Sequence, residues 1–392
     1  MTHRYTILFA AICTCMLPAT ILAQGTWTAL APVDGVGRFW ATAFTVNGIA
    51  YTGTGVPDAF GSPLDDMHAY DPATDTWSTI ALFPGGIREG VVSIGHGNFG
   101  YAGMGTPFFG YLADWYKYDP TTDTWAPLPA CPAAMGYARG FVIGDKFYVG
   151  PTPGTNAMYT FDFTTETWGT AATFPGVYTI HQVTFTLNGM GYLGMGLSLS
   201  DDWWRYDAAL DSWTQVASIS PGSDQSCGFS LGNTGYVFNV GGNLKDLYSY
   251  DPTADAWTFV STFTAGRLSN AEAFAVNGAG HIVFGQDTNN GNAPSNALWR
   301  FAPGNVGLAE SNSPTHVTVI GKPGGTLETH VPEAYLGGKL FVRDATGRLL
   351  AAQRIGATTC TVALPDNAPM LLMVEVRATD GVRQVVRVVG VE

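Results

Sequence analysis

A segment of eight residues that returns five times constrains this chain more than any other feature. It reads Tyr70-Asp-Pro-Ala-Thr-Asp-Thr-Trp77, Tyr118-Asp-Pro-Thr-Thr-Asp-Thr-Trp125, Phe161-Asp-Phe-Thr-Thr-Glu-Thr-Trp168, Tyr206-Asp-Ala-Ala-Leu-Asp-Ser-Trp213 and Tyr250-Asp-Pro-Thr-Ala-Asp-Ala-Trp257. With Trp27 added, the tryptophans advance by 50, 48, 43, 45 and 44 residues. A period of this length marks units that each bury a face against the next. Between copies the same order returns: a strand of small and apolar residues, a tight turn, an aromatic-Gly strand, a loop, and an aromatic-x-aromatic strand. Asn47-Gly48, Asn188-Gly189 and Asn277-Gly278 supply the positive φ angles of tight hairpins. In the Tyr-Asp-Pro turn, proline presets one φ and the Asp carboxylate accepts backbone N–H groups. Four short strands per period predict an all-β chain built of propeller blades.

These residues resemble the kelch family, whose blades pair glycines after the second strand and hold a Tyr and a Trp at fixed separation. Tyr101-Ala-Gly-Met-Gly105, Tyr192-Leu-Gly-Met-Gly196 and Tyr236-Val-Phe-Asn-Val-Gly-Gly242 carry the glycine element, mostly as Gly-x-Gly. The resemblance spans residues 24–303 and implies a six-bladed kelch β-propeller. The last unit, Leu298-Trp-Arg-Phe-Ala-Pro303, reaches its turn with no Trp strand behind it, whereas Gly25-Thr-Trp-Thr-Ala-Leu30 is such a strand without a unit. The N-terminal strand is therefore expected to complete the sixth blade, removing a free edge.

Residues 1–23 carry Arg4 and an apolar run from Thr6 to Ala23, the pattern of a cleaved signal peptide. Pro18 interrupts the run and no other stretch is long and apolar enough to span a bilayer, so the expectation is a protein secreted or attached to the outer cell surface, without a transmembrane segment. Residues 304–314 read as a linker. Residues 315–392 alternate apolar and polar positions with turns at Gly324-Gly325, Gly337-Gly338, Ala345-Thr-Gly347 and Asp380-Gly381, predicting a small Ig-like β-sandwich. This tail resembles the type A sorting domain of type IX secretion in Asp344, Gly347, Arg348, Pro365 and Arg387, which implies the type IX machinery as a partner. It differs in having Asn367-Ala-Pro-Met370 where that family places Gly and Tyr, and in lacking an opening Pro-Asn-Pro.

Residues 24–303 hold nine Lys and Arg against 23 Asp and Glu, a net charge of −14, whereas 304–392 hold eight of each. An acidic surface repels phosphates, so no nucleic acid is expected as a partner. Ten of those acids fall in the turn-to-Trp segments, and Asp66, Asp114, Asp202 and Asp246 precede the third strand at one shared offset, so turn architecture accounts for fourteen. After signal removal Cys131, Cys227 and Cys360 stand too far apart for a disulfide scaffold or a zinc site and read as buried thiols. No motif calls for a metal or another cofactor.

Function in a propeller is expected at the channel mouth, where each innermost strand begins. Aligned across blades, the position of Trp40 is held by Gly90, Tyr137, His181, Gln225 and Asn270, and two residues on stand Thr42, Val92, Arg139, Val183, Cys227 and Glu272. Repeat-structural positions stay constant and these vary. The candidate ligand-binding set is Arg38, Trp40, Arg88, Glu89, Tyr137, Arg139, His181, Gln225, Asn270 and Glu272, with Phe108, Phe109 and Tyr111 as loop aromatics. For Arg38 and Arg88 the competing expectation is hydrogen bonding to carbonyls between blades. The leading functional expectation is a non-catalytic module that binds an extracellular protein or glycan. The alternative is a carbohydrate-active enzyme: kelch-fold mutarotases use a carboxylate and a basic residue, for which Glu89 with Arg88 or Glu272 with Arg139 would serve. The Tyr, Cys and His set of kelch-fold copper oxidases is not matched by His68, His96, His181 and His281, which fall at unrelated blade positions.

Overall fold

The computed structural model describes residues 25–58, 61–177, 180–197, 200–223, 225–240, 244–287, 290–303, 318–322, 326–330, 337–344, 348–357, 359–364, 371–377 and 383–389. The signal peptide expected at 1–23 and the linker expected at 304–314 lie outside these residues. Two compact units divide between Val306 and Gly307. In the first, each period is a four-stranded antiparallel sheet, and the described residues form six of them. Their innermost strands are Thr42–Val46, Val92–His96, Arg139–Ile143, Val183–Leu187, Cys227–Leu231 and Glu272–Val276, and they number the sheets one to six below. Each innermost strand lies beside the next and the sixth lies beside the first, so the sheets close into a ring.

The sixth sheet runs Thr26–Leu30, Leu298–Ala302, Ala279–Val283, Glu272–Val276, with Trp27 opposite Phe301. The N-terminal strand thus supplies the outer strand that the last period lacks. Trp27 packs its ring 5.0 Å from Phe263 and 5.1 Å from Phe301 and donates Nε1–H to Ser261 Oγ at 3.1 Å.

The two acids of each turn segment do different work. The first, as in Asp71, Asp119, Asp207 and Asp251, accepts the N–H two residues on at 2.8–2.9 Å and closes the turn. The second reaches the neighbouring sheet. Asp75 Oδ1 accepts both the Tyr70 hydroxyl at 2.9 Å and the Ala31 N–H at 3.0 Å, while Trp77 Nε1 donates to the Ala31 carbonyl at 2.8 Å. Both main-chain groups of the residue that ends one sheet are therefore held by the next. The same clamp joins Ala81 to Tyr118, Asp123 and Trp125, Ala172 to Tyr206, Asp211 and Trp213, and Ala217 to Tyr250, Asp255 and Trp257. Sheet three lacks three of its parts together: Phe161 has no hydroxyl, Glu166 turns to Lys117 at 2.9 Å, and Pro129 has no N–H to offer. Only Trp168, donating to the Pro129 carbonyl at 2.7 Å, remains.

An aromatic stack fills the space between sheets. Phe44 lies on Tyr51 at 5.1 Å, Phe141 on Tyr148 at 5.6 Å, Phe185 on Tyr192 at 5.4 Å and Phe229 on Tyr236 at 5.3 Å. In sheet six the partner of Phe274 is His281, stacked at 5.0 Å, 1 % exposed, with neither ring nitrogen in a well-formed hydrogen bond. Burial pushes its pKa down to about 4 from 6.5. A His held neutral contributes stability above its unfolded pKa and loses it as pH falls from 6.5 towards 4. His281→Tyr, which restores the residue of the other sheets, is therefore expected to leave the melting temperature near pH 8 little changed. It should add on the order of 2–3 kcal/mol at pH 4; equal acid sensitivity of the two proteins in thermal melts would refute this.

The innermost strands are edge strands, paired on one side only. Hydroxyls on neighbouring inner strands tie them together: Thr42 donates to Ser93 Oγ at 2.5 Å, Ser93 to the Ala43 carbonyl at 3.0 Å, Thr184 to Gly140 at 2.8 Å and Thr186 to Val142 at 2.9 Å. Edge carbonyls that would otherwise face the channel unpaired are satisfied in this way.

The second unit has two antiparallel sheets, ordered Thr318–Lys322, Thr326–His330, Thr359–Ala363 and Leu349–Arg354, Lys339–Asp344, Leu371–Arg377, Arg383–Val389. Leu327, Leu340, Val342, Ile355, Val362, Val374 and Val376 form its core. The Asp344 carboxylate accepts the Arg348 N–H at 3.0 Å and its Nε–H at 2.9 Å. Gly347 and Pro365 lie outside the described residues, and Arg387 stands opposite Met373 in the last strand. All three cysteines considered above are free and buried.

Candidate functional site

The channel mouth is built on a repeated backbone irregularity. Trp40, Gly90, Tyr137, His181, Gln225 and Asn270 all have left-handed φ, between 54° and 65°. Five of them donate their N–H to the carbonyl of the ring residue before: Trp40 to Asn270 at 3.3 Å, Gly90 to Trp40 at 3.0 Å, Tyr137 to Gly90 at 2.9 Å, His181 to Tyr137 at 3.4 Å and Asn270 to Gln225 at 3.1 Å. This geometry binds the ring through main-chain atoms alone, which leaves the side chains free to differ from sheet to sheet.

Three of these side chains pack together at the mouth. Trp40 and Tyr137 meet edge to face at 5.5 Å, Tyr137 and His181 lie 4.9 Å apart, and His181 lies near-parallel to Trp40 at 6.0 Å. Tyr111 continues the cluster outwards at 6.5 Å from Tyr137. Only glycine at position 90 permits this packing, since a Cβ there would stand 2.6 Å from the Tyr137 ring. Tyr137 donates its hydroxyl to Glu89 Oε1 at 2.6 Å, and burial holds the Glu89 carboxyl above its ordinary pKa. Burial, then the Arg139 charge, lowers the His181 pKa to about 4, so the imidazole is neutral at pH 7.

Two residues down the inner strands, Arg139 of sheet three meets Glu272 of sheet six. Nη1 donates to Oε2 at 3.0 Å and Nη2 to Oε1 at 2.6 Å, a fork-to-fork pair between strands half a ring apart. Glu272 is 6 % exposed, and burial keeps its carboxyl above the ordinary range against the pull of Arg139. A channel cavity of about 370 Å³ lies against the pair.

Of the residues expected at the site, Trp40, Glu89, Tyr137, Arg139, His181, Gln225, Asn270 and Glu272 stand at the ring, beside it or just beneath it. Arg38 and Arg88 do not. Arg38 is fully buried, donates to both oxygens of Asp66 and to the Thr54 carbonyl, and Arg88 donates to Asp114 at 2.7 Å and to the Met104 carbonyl at 2.9 Å. Their guanidinium groups are engaged between the second and third strands, so the pairing of Glu89 with Arg88 gives way to Glu89 with Tyr137. Asp66 and Asp114 are accordingly ion-pair partners and not turn residues alone. Gln182, buried beside the cavity, escaped sequence reasoning because its neighbour His181 occupies the varying position.

The ends of the ring differ. Because strands alternate in direction, the connections between second and third strands and those between sheets all fall at the mouth end. Of ten exposed large apolar side chains described in the first unit, eight lie in these connections: Val36, Leu82, Ile87, Phe108, Phe109, Tyr111, Val177 and Leu197. Phe109 is 94 % exposed.

No family model matches the chain. Over 221 residues it is 25 % identical to the "Kelch-like protein terF" of Aspergillus terreus (strain NIH 2624 / FGSC A1156), covering 50 % of this chain and 48 % of the relative. The chain thus spans about half the length of the curated relative it matches. A solved structure titled "Structure of YjhT" superposes with a TM-score of 0.56 at 19 % identity, over 68 % of this chain and 95 % of the other. Repeated four-stranded sheets closing on themselves define the fold as a β-propeller. The two likenesses support its kelch-repeat form.

Proposed function

We propose that this chain is a six-bladed kelch propeller carrying a small Ig-like module, exported through its N-terminal signal, that binds a protein or glycan outside the cell on its mouth face. The observation that carries this reading is the crowding of exposed apolar side chains at one end of the ring, around a mouth whose six equivalent positions carry unlike side chains. Exposed apolar clusters of this kind mark interaction surfaces, and aromatic loop residues stack on sugars or anchor protein partners. A glycan array and a pull-down from outer-surface extracts should each be run with native protein and with the double variant Phe108→Ser/Phe109→Ser. Binding that falls at least tenfold in the variant, at unchanged melting temperature, is the expected result. A ligand held equally by both proteins would place recognition elsewhere.

The C-terminal unit fits a type IX sorting signal, on the strength of the hydrogen-bonded pair Asp344 and Arg348 and the basic-valine strand Arg383–Val389. Mass spectrometry of the surface protein should find the chain ending near Gly307. An intact terminus at Glu392 would make it a permanent module.

A further inference from the structure

We propose that the axial cavity is a ligand site of its own, entered from the hairpin end of the channel and suited to a net-neutral, hydroxyl-rich small molecule such as a monosaccharide or polyol. The cavity, about 370 Å³, has the size of a small-molecule site. Its lining begins at Arg139 and Glu272 and runs down the inner strands past Ser93, Thr184 and Thr186 to Thr45 and Ala275, with none of the six ring residues in it. Trp40, Tyr137 and His181 pack against one another above the pair, and none of them lines the cavity. At the other end a hollow edged by Asn47, Gly48 and Asn277 shares Thr45 and Ala275 with the cavity and continues it to the first hairpins. Access therefore runs opposite to the mouth face, and the inference does not depend on what that face binds.

The ligand class follows from the wall. Arg139 and Glu272 are the lining's charged residues, and each satisfies the other through two hydrogen bonds. An anion would have to displace Glu272 and a cation to displace Arg139, each stranding the displaced side chain without its partner and next to a ligand of like charge, which is strongly unfavourable. Thr184 and Thr186 give their protons to carbonyls of the neighbouring sheet, which leaves their hydroxyl oxygens as acceptors towards the cavity, while the Ser93 oxygen already accepts from Thr42. Gln182 adds an amide that both donates and accepts. A wall of hydroxyl acceptors and one amide, without net charge, is the complement of hydroxyl groups, which can donate to the first and do both with the second.

Saturation-transfer NMR and calorimetry on the full chain test this with glucose, maltose and sorbitol against glucuronate and glucosamine. At least one neutral compound should bind, with glucuronate and glucosamine ten times weaker or more. The near-isosteric double variant Thr184→Val/Thr186→Val should weaken binding three- to tenfold. Ala275→Trp, which fills the hairpin end, should abolish it, and Leu210→Ser on the outer turn should leave it unchanged. If Ala275→Trp fails to fold, the valine variant alone decides. Absence of binding by every neutral compound, equal binding of the charged ones, or native affinity in the valine variant would each overturn the proposal. The mouth-face reading survives all three outcomes, because its readout is capture lost with Phe108 and Phe109.

Discussion

Replacing Glu272 with alanine is expected to cost the propeller about 3 kcal/mol, the low end for a buried pair, because the half-buried Arg139 guanidinium is left without its counter-ion. The fork between them spans the channel from sheet three to sheet six, so the loss weakens a tie across the ring as well as a local contact. Arg139→Ala should cost less at acid pH than at neutral pH, since the stranded Glu272 can take up a proton and become neutral. The double replacement Arg139→Met/Glu272→Met should recover most of the stability, as apolar substitutes for buried ion pairs commonly do. Urea or thermal unfolding of the four proteins decides it. A Glu272→Ala variant as stable as native protein would mean that water in the cavity replaces the carboxylate without penalty.

Deleting residues 25–31 should open the ring. The strand Thr26–Leu30 covers the edge of Leu298–Ala302, and Ala31 just beyond it is the residue whose N–H and carbonyl are held by Asp75 and Trp77 of sheet one. The deletion therefore removes one strand and one inter-sheet clamp at the junction where the N-terminal strand meets the last period of the ring. An uncovered edge of a mostly apolar strand invites pairing between molecules, so the truncated protein should melt earlier and aggregate. Trp27→Ala, which keeps the strand but removes a ring packed on Phe263 and Phe301, should cost about 3 kcal/mol. Restoration of the native melting profile by a synthetic peptide of residues 25–33 would confirm strand replacement as the cause. A deletion variant that stays monomeric with an unchanged melt would show that the ring closes without it.

The clamp shows how far the repeat itself could be read. The segments announce the sheets because Tyr, Asp and Trp recur at fixed offsets, and those offsets recur because every sheet meets its neighbour in the same way. Sheet three is informative in the same sense: Phe161, Glu166 and Pro129 lose the phenol, the carboxylate geometry and the N–H together, a correlation visible in the chain once the contact is known. The role of the second acid was not legible beforehand, because a turn and an inter-sheet bond ask for the same residue type. Arg38 and Arg88 carried the same ambiguity. A guanidinium near a channel mouth suits a ligand as well as a carbonyl, and only the position of Asp66 and Asp114 decides between them.

The sequence by itself determined the all-β class, the period, the hairpins at Asn-Gly and the orphan strand around Trp27 that needed a partner, because each depends on local backbone preference and on residues that repeat. It also singled out the six ring positions, since variation inside a repeat stands out against constancy. Tertiary structure alone decided that the Trp40, Tyr137 and His181 rings pack together at the mouth, that Glu89 pairs with Tyr137, and that the cavity extends towards the hairpins. Arg139 and Glu272 lie 133 residues apart, and nothing local draws them together. Closure of the ring does, by converting half a chain of separation into the width of a channel.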